Sequence, residues 1–346
     1  MADQMTAEVA GVDREALRGW LAAARPELRI EAPELTLIAG GRSNLTYQLD
    51  GGEVPLVLRR PPLGHLLATA HDMGREYRVM SALAPTPVPV PRTVAHCADA
   101  EVLGAPFYLM EKVDGAIHRR AADLAELDPA TGRELGHALV DVLAALHSVP
   151  PAAVGLADFG RPEGFMERQL ARWTEQLAAS RTRELPGVEE LAARLARTRP
   201  ASPRPALVHG DYRLDNVVFD RAEPGRIAAV LDWELAALGD PLCDLGVFCV
   251  YWDGLAGLGE AVPPTPGALP GWPGRDELVE RYARASGVPV ETLDWYVAFG
   301  FFKIAVILEG VHYRHSRGLT LGDGFDGISA AVPELVRRGL RALTRP

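Results

Sequence analysis

The stretch LVHGDYRLDNVVFD, residues 207–220, carries the reading of this chain's fold. It sets His209, Asp211, Arg213, Asp215 and Asn216 on a short polar loop between two apolar, strand-like runs, Ala206–Val208 and Val217–Phe219. An aspartate and an asparagine five positions apart, fixed between strand ends, suit phosphoryl transfer. One carboxylate orients an attacking hydroxyl and accepts its proton, while an amide oxygen coordinates Mg²⁺. Downstream, AAVLDWELAALGDPLCDLG (228–246) places Asp232 at the end of a third apolar strand, 21 residues after Asp211. A second carboxylate there suits the metal that bridges nucleotide phosphates, because hard cations take oxygen ligands.

Working outward, residues 13–24 predict an amphipathic helix with Leu17, Trp20 and Leu21 on one face. Three strand-like runs follow, Leu35–Ile38, Thr46–Leu49 and Leu56–Arg59, punctuated by Gly40-Gly41 and Gly51-Gly52. A helix over 70–83, the Pro-rich passage TPVPVPRTV and a strand at Phe107–Met110 complete a small antiparallel sheet carrying one main helix. Beyond Val113-Asp114-Gly115 the texture turns helical. Residues 131–147 place Leu135, Leu139, Val142, Leu143 and Leu146 on one stripe, and further helices are predicted over 163–180, 188–198, 275–286, 291–312 and 328–343. The stretch 254–274, rich in Pro and Gly, predicts a surface loop. The pattern is α+β, with a β-rich lobe over 1–111 and a helical lobe over 112–346 forming one functional unit.

Composition narrows the partners. The 36 Lys+Arg against 46 Asp+Glu leave a net charge of −10, which argues against nucleic acid and anionic membrane as partners. Three cysteines, Cys97, Cys243 and Cys249, form no CxxC and fit a reduced, cytoplasmic setting. The N-terminus lacks the basic start and apolar core of a signal peptide. The most apolar run, Tyr296–Leu308, is interrupted by Lys303 and falls short of a membrane span. Only Lys112 and Lys303 are lysines; the other 34 basic residues are arginine.

The elements HGDYRLDN and LDWE…GDP…D resemble those of the aminoglycoside phosphotransferase family, itself a relative of the protein kinases. LVLRRPP, REYRVMSAL, TPVPVPRTV and FYLMEKVDG look most like the kinase-like domain fused to certain acyl-CoA dehydrogenases. The resemblance implies a bilobal, protein-kinase-like fold and an enzyme using ATP or GTP with Mg²⁺ to phosphorylate a small-molecule hydroxyl. Asp211 would be the base, and Asn216 and Asp232 the metal ligands. His209 fits bracing better than base chemistry; Arg213 and Asp215 fit loop bracing at least as well as substrate contact. Glu234 is expected to be structural, and Asp244 to accept backbone N–H bonds from the loop.

No GxxxxGK[ST] exists, so the P-loop is excluded. A phosphate grip is expected instead from Gly40-Gly41-Arg42-Ser43-Asn44, with Gly41, Ser43 and Asn44 as contacts. With no lysine before Lys112, the strand cation is expected to be Arg59, with Arg60 as the rival one residue of register away, and its carboxylate partner Glu76. The resemblance implies a hinge at Met110-Glu111-Lys112-Val113, with the backbone of Glu111–Val113 pairing with adenine. Acceptor contacts are sought on the helix carrying Lys303, Glu309, His312, Tyr313, Arg314, His315 and Arg317. This basic cluster favours an anionic or acyl-type acceptor over an aminoglycoside polycation, and the resemblance implies a hydroxyacyl-CoA or another small hydroxylated metabolite. A nucleotide-binding pseudokinase is the other alternative, supported only by the missing lysine. A protein kinase is disfavoured because GDPLCDLG follows Asp232 too soon for a long activation loop.

Overall fold

The computed structural model describes residues 11–38, 44–63, 72–259, 262–318 and 327–344. By their packing these fall into two compact units, one ending at Asp114 but including Ala229–Glu234, the other taking Gly115–Ala228 and everything from Leu235 onward.

The first unit is built on a five-stranded antiparallel sheet. Its strands are β1 (Glu34–Leu37), β2 (Leu45–Asp50), β3 (Leu56–Arg60), β4 (Thr93–Cys97) and β5 (Phe107–Glu111), in the order β1-β2-β3-β5-β4. β4 was not foreseen: it begins where the Pro-rich passage ends, because proline removes the ladder N–H. Helix α1 (Arg14–Ala24) is capped by Asp13, which accepts from the Glu15 and Ala16 N–H groups, and it buries Leu17 and Leu21 in the core around Leu49, Leu58 and Phe107. Trp20 meets Phe107 edge-on at 4.9 Å. Helix α2 spans Met73–Leu83, with Asp72 capping it at the Arg75 N–H; residues 70 and 71 of the expected helix lie outside the described residues, and the short α3 (Ala100–Leu103) follows β4. The segment 229–234 belongs to this unit because the Val230 N–H bonds the Pro89 carbonyl and Asp232 pairs with Arg59.

The second unit is mostly helical: α4 (Ala121–Ala125), α5 (Pro129–Ser148), α6 (Phe165–Ser180), α7 (Val188–Arg197), α8 (Pro241–Cys249), α9 (Arg275–Ser286), α10 (Leu293–Ser316) and α11 (Ile328–Ala342). Its strands are short: β6 (Ala206–Val208), β7 (Val217–Phe219), β8 (Ile227–Val230), within which the two units divide, and β9 (Ala237–Gly239), which pairs antiparallel with β6. Asp128 caps α5 through the Ala130 and Thr131 N–H groups with Pro129 at the first helical position. Its stripe is buried at Leu135, Leu139, Leu143 and Leu146, whereas Val142 is half-buried and His147 takes the inward place.

The stretch 254–274 is not simply a surface loop. Trp272 and Pro273 are buried against α5, where Gly132 and Gly136 leave room; a Cβ at Gly132 would lie 2.3 Å from the Trp272 ring. One four-residue step along α5 thus docks two residues of the loop. Helix α10 runs for 24 residues, longer than the apolar run suggests, and is long and apolar enough to cross a membrane. Yet 89% of its most apolar window is buried within the protein, the signature of a core helix. It packs against α6, α7, α8 and α11.

Candidate phosphotransfer site

In the first unit, the chemistry gathers around Arg59. On β3 successive side chains face opposite ways, and this decides between the two arginines. Arg60 is buried and donates to the Leu103 carbonyl at 2.9 Å. Arg59 faces the other side, its Nε 3.0 Å from Glu76 Oε2, an ion pair without the alignment of a hydrogen bond. Its Nη2 pairs with Asp232 and lies 3.8 Å from Glu234 Oε2. Asn44, at the head of β2, donates from Nδ2 to Glu76 Oε1 (3.2 Å) and Glu234 Oε2 (3.1 Å). Gly41 and Ser43 lie outside the described residues.

One guanidinium therefore sits among three carboxylates. Burial pushes the Glu76 carboxyl up to about 7 against the pull of Arg59, and the charges of Asp232 and Glu234 add to the rise. A group missed in the sequence supports it: Tyr108, directly opposite Arg59 across the β3–β5 ladder, donates its hydroxyl to Glu76 Oε2 at 2.9 Å. Inside the apolar run FYLME it carried no signal beyond core. Asp232 has a φ of +65°, a left-handed conformation that costs a non-glycine residue energy and concentrates at functional sites. At the expected hinge, the Glu111 N–H bonds the Arg92 carbonyl and the Lys112 N–H the Pro55 carbonyl, with Val113 half-buried after them. The Glu111 side chain pairs with Arg92.

In the second unit, the polar loop is held by its backbone. Asp244, on α8 and buried, accepts from the His209 N–H (2.6 Å) and the Gly210 N–H (2.8 Å), the bonds expected of it. Burial alone would raise its pKa, but the hydrogen bond and charge of His147, with the loop amide, hold it below the ordinary carboxylate value. His147 is the inward histidine of α5, with Nε2 3.2 Å from Asp244 Oδ2 and Nδ1 2.7 Å from the Tyr282 hydroxyl. A polar residue on a buried stripe was the available signal for it. Gly210 needs to be glycine: its φ is +85°, and a Cβ would lie 2.6 Å from the Leu235 carbonyl oxygen.

The side chain of Asn216 donates from Nδ2 to the Asp211 carbonyl (2.9 Å) and to Asp211 Oδ2 (3.1 Å). These bonds use the amide NH₂ group and not the oxygen, the atom that a hard cation would take. His209 braces: its Nδ1 accepts the Asp211 N–H at 3.2 Å. Arg213 lies between Asp215 (3.1 Å) and Asp211 (3.4 Å) with its guanidinium 5.0 Å over the Tyr251 ring. Burial raises the Asp215 pKa against the charge of Arg213. Beside Arg213 and Asp215, Tyr251, Pro263 and Pro264 are half-buried while Phe248, Trp252 and Pro266 are buried behind them, and the cleft between has a volume of about 10 Å³.

Two members of the α10 cluster turn into the core. Glu309 is fully buried and pairs with Arg183 at 2.8 Å, which also bonds the Ser329 carbonyl. Lys303 turns inward and donates to the Gly210 carbonyl. His312 and Tyr313 are half-buried, and Arg317 covers the Tyr313 ring at 4.6 Å.

Comparison with known proteins agrees with this architecture. The family described as "Phosphotransferase enzyme family" (APH) matches residues 34–296. Acyl-CoA dehydrogenase family member 10 of Mus musculus is 38% identical over 292 residues, covering 82% of this chain and 27% of that protein. Member 11 of Gallus gallus is 36% identical over 314 residues, covering 89% of this chain and 40% of that protein. The chain thus spans well under half the length of these curated relatives. A solved structure from Ralstonia eutropha JMP134, assigned to the aminoglycoside phosphotransferases, superposes with a TM-score of 0.80 at 34% identity, covering 96% of this chain and 98% of that one. The chain belongs to the APH phosphotransferase family and has its kinase-like fold.

Proposed function

We propose that this protein transfers the γ-phosphoryl group of ATP (or GTP), with Mg²⁺, to a hydroxyl of a small molecule. The observation that carries this is the Asp211 loop. Its carboxylate is held by Asn216 and Arg213, and its backbone is tied to buried Asp244. Asp211 would orient the acceptor hydroxyl and take its proton, a role worth about 10²–10⁴ in rate. Arg59, kept charged by Glu76, would position the nucleotide phosphates, and bidentate guanidinium geometry suits that task as well as an ammonium. The Asn216 amide oxygen and the Asp232 carboxylate have the oxygen chemistry for Mg²⁺. Magnesium, when bound, would neutralise charge developing on the phosphates. The partnering of Arg59 with Glu76 weighs against a pseudokinase, since the missing lysine was its sole support.

For the acceptor, the residues beside Arg213 and Asp215 favour a hydroxylated metabolite with an apolar portion, such as a hydroxyacyl thioester. The half-buried Tyr251, Pro263 and Pro264 would contact that portion, and Arg213 would meet an anionic group. The inward turn of Lys303 and Glu309 removes the basic-cluster support for an acyl acceptor and leaves this surface as its basis. An aminoglycoside acceptor is the second reading, favoured by the assignment of the Ralstonia relative, although a polycation would want a more acidic surface. The test is a mass-spectrometric screen of hydroxylated metabolites, hydroxyacyl thioesters and kanamycin with ATP and Mg²⁺. The expected product is heavier by about 80 Da, the mass of the transferred phosphoryl group, and is absent with Asp211→Ala. Strong kanamycin phosphorylation with no hydroxyacyl product would favour the second reading.

A further inference from the structure

The loop that carries Asp211 is gripped from two sides by buried groups of opposite charge. Asp244, on α8, takes the Gly210 N–H at 2.8 Å. Lys303, on α10, donates its ammonium to the Gly210 carbonyl. Both side chains are buried, 1% and 4% exposed. The peptide between Gly210 and Asp211 is then fixed at both of its polar ends: its carbonyl by Lys303, its N–H by His209 Nδ1 at 3.2 Å. Without these bonds it is a peptide next to a glycine at positive φ, where rotation meets little steric resistance.

We propose that Lys303 is a positioning residue for the Asp211 base. It acts through the Gly210 carbonyl, and fixing that peptide fixes where the Asp211 carboxylate points. A buried ammonium is costly unless bonded. Its ammonium bonds the carbonyl and lies 5.4 Å from the centre of the Trp173 ring, a cation–π contact that offsets part of the cost. Position 303 is also one of only two lysines in a chain of 34 arginines. A compact ammonium can direct one donor at a single carbonyl, whereas a planar guanidinium must place five.

The kinetic part of this inference rests on the phosphotransferase reading; the structural part does not. Selective ¹⁵Nζ-lysine labelling of the wild-type chain gives two signals, separated by the Lys112→Arg variant. The expected result is one ammonium, Lys303, exchanging with solvent at least tenfold slower than Lys112. Equal, fast exchange of both would overturn the proposal. Amide exchange then compares wild type with Lys303→Met and Lys303→Arg. In Lys303→Met the Gly210 and Asp211 amides are expected to exchange at least tenfold faster, with the amides of α6 and α11 unchanged. Lys303→Arg should recover part of that protection and stands in if the methionine variant does not fold. Unchanged protection at 210–211 in a folded Lys303→Met protein overturns the assignment. For Mg·ATP hydrolysis, Lys303→Met should lower kcat at least tenfold with KM for ATP within about twofold, because nucleotide contacts are untouched. If wild-type turnover depends on Asp211 but Lys303→Met keeps its kcat, the proposal fails while the phosphotransferase reading stands. If turnover is equal in wild type and Asp211→Ala, that reading fails and the exchange data alone judge the role of Lys303.

Discussion

Arg59 and Asp211 are held by opposite means. Around Arg59 the structure is a lattice of charged side chains: three carboxylates, one guanidinium and the Asn44 amide, with Tyr108 closing one end. Around Asp211 the hold on the loop is chiefly on the backbone. Asp244 and Lys303, from the helical core, take the His209 and Gly210 N–H groups and the Gly210 carbonyl. His209, in the loop itself, takes the Asp211 N–H, while Asn216 and Arg213 touch the carboxylate. A side-chain lattice with an excess of negative charge has room for a further cation, which fits the proposed binding of nucleotide together with Mg²⁺. A backbone grip has no such freedom and suits a group whose direction must not change. On the proposed function the first is a binding device and the second an aiming device.

The largest effect should come from cutting the backbone grip. Asp244→Ala leaves the His209 and Gly210 amides and His147 buried without their partner. Breaking a buried pair in this way costs about 3–5 kcal/mol, and chemical denaturation followed by circular dichroism would measure it. A loss under about 1 kcal/mol, the size of a single ordinary hydrogen bond, would make the aiming device no stiffer than any other loop.

Next comes the lattice. Arg59→Met strands Glu76, Asp232 and Glu234 without a countercharge, and nucleotide affinity by isothermal titration calorimetry should weaken by about 100-fold, or roughly 2.7 kcal/mol. Arg59→Lys should recover most of it, since a lysine keeps the charge but loses the bidentate fork. Equal affinity in all three proteins would remove Arg59 from the phosphate site.

The smallest effect is a pH dependence confined to the lattice. The Glu76 pKa of the folded chain stands at about 7, above its ordinary 4.5. The folded state therefore binds the proton more tightly, and its stability relative to the unfolded chain falls as pH rises through that window. The difference in Tm between wild type and Glu76→Gln should accordingly shrink, or turn against the wild type, from pH 5 to pH 8. A difference that grows with pH would place the Glu76 pKa below its ordinary value and reverse the sign.

The two regions were also unequally legible in the sequence. The polar loop could be read because its chemistry is local: Asp211, Asn216 and Gly210 fall within seven residues, between strands whose apolar runs announce them. Arg59 and Glu76 were legible as a pair because no lysine precedes Lys112, which left the strand arginines as the cation a helix glutamate would hold. Register, which set Arg59 rather than Arg60 toward Glu76, was settled only by the ladder with β5. What could not be read were partners distant in sequence that look like core. Tyr108 sits in an apolar strand, His147 on an apolar stripe, and Lys303 near the middle of a long, apolar core helix. Each is a single polar atom group on an element whose periodicity signals burial, and only the packing shows what that atom touches. Trp272 and Pro273 were hidden for the converse reason: Pro and Gly signal a loop, and nothing local tells that α5 has two glycines waiting for it.

The claim on which the rest depends is that Asp211 is the base of a phosphoryl-transfer site. The most direct measurement is ADP formation from Mg·ATP by wild type and Asp211→Ala side by side, with circular dichroism confirming that both fold. The wild type should turn over, in the presence of Mg²⁺ and not with EDTA, and the variant should be slower by about 10²–10⁴. Equal rates in the two folded proteins, or a wild-type rate indifferent to Mg²⁺, would contradict it.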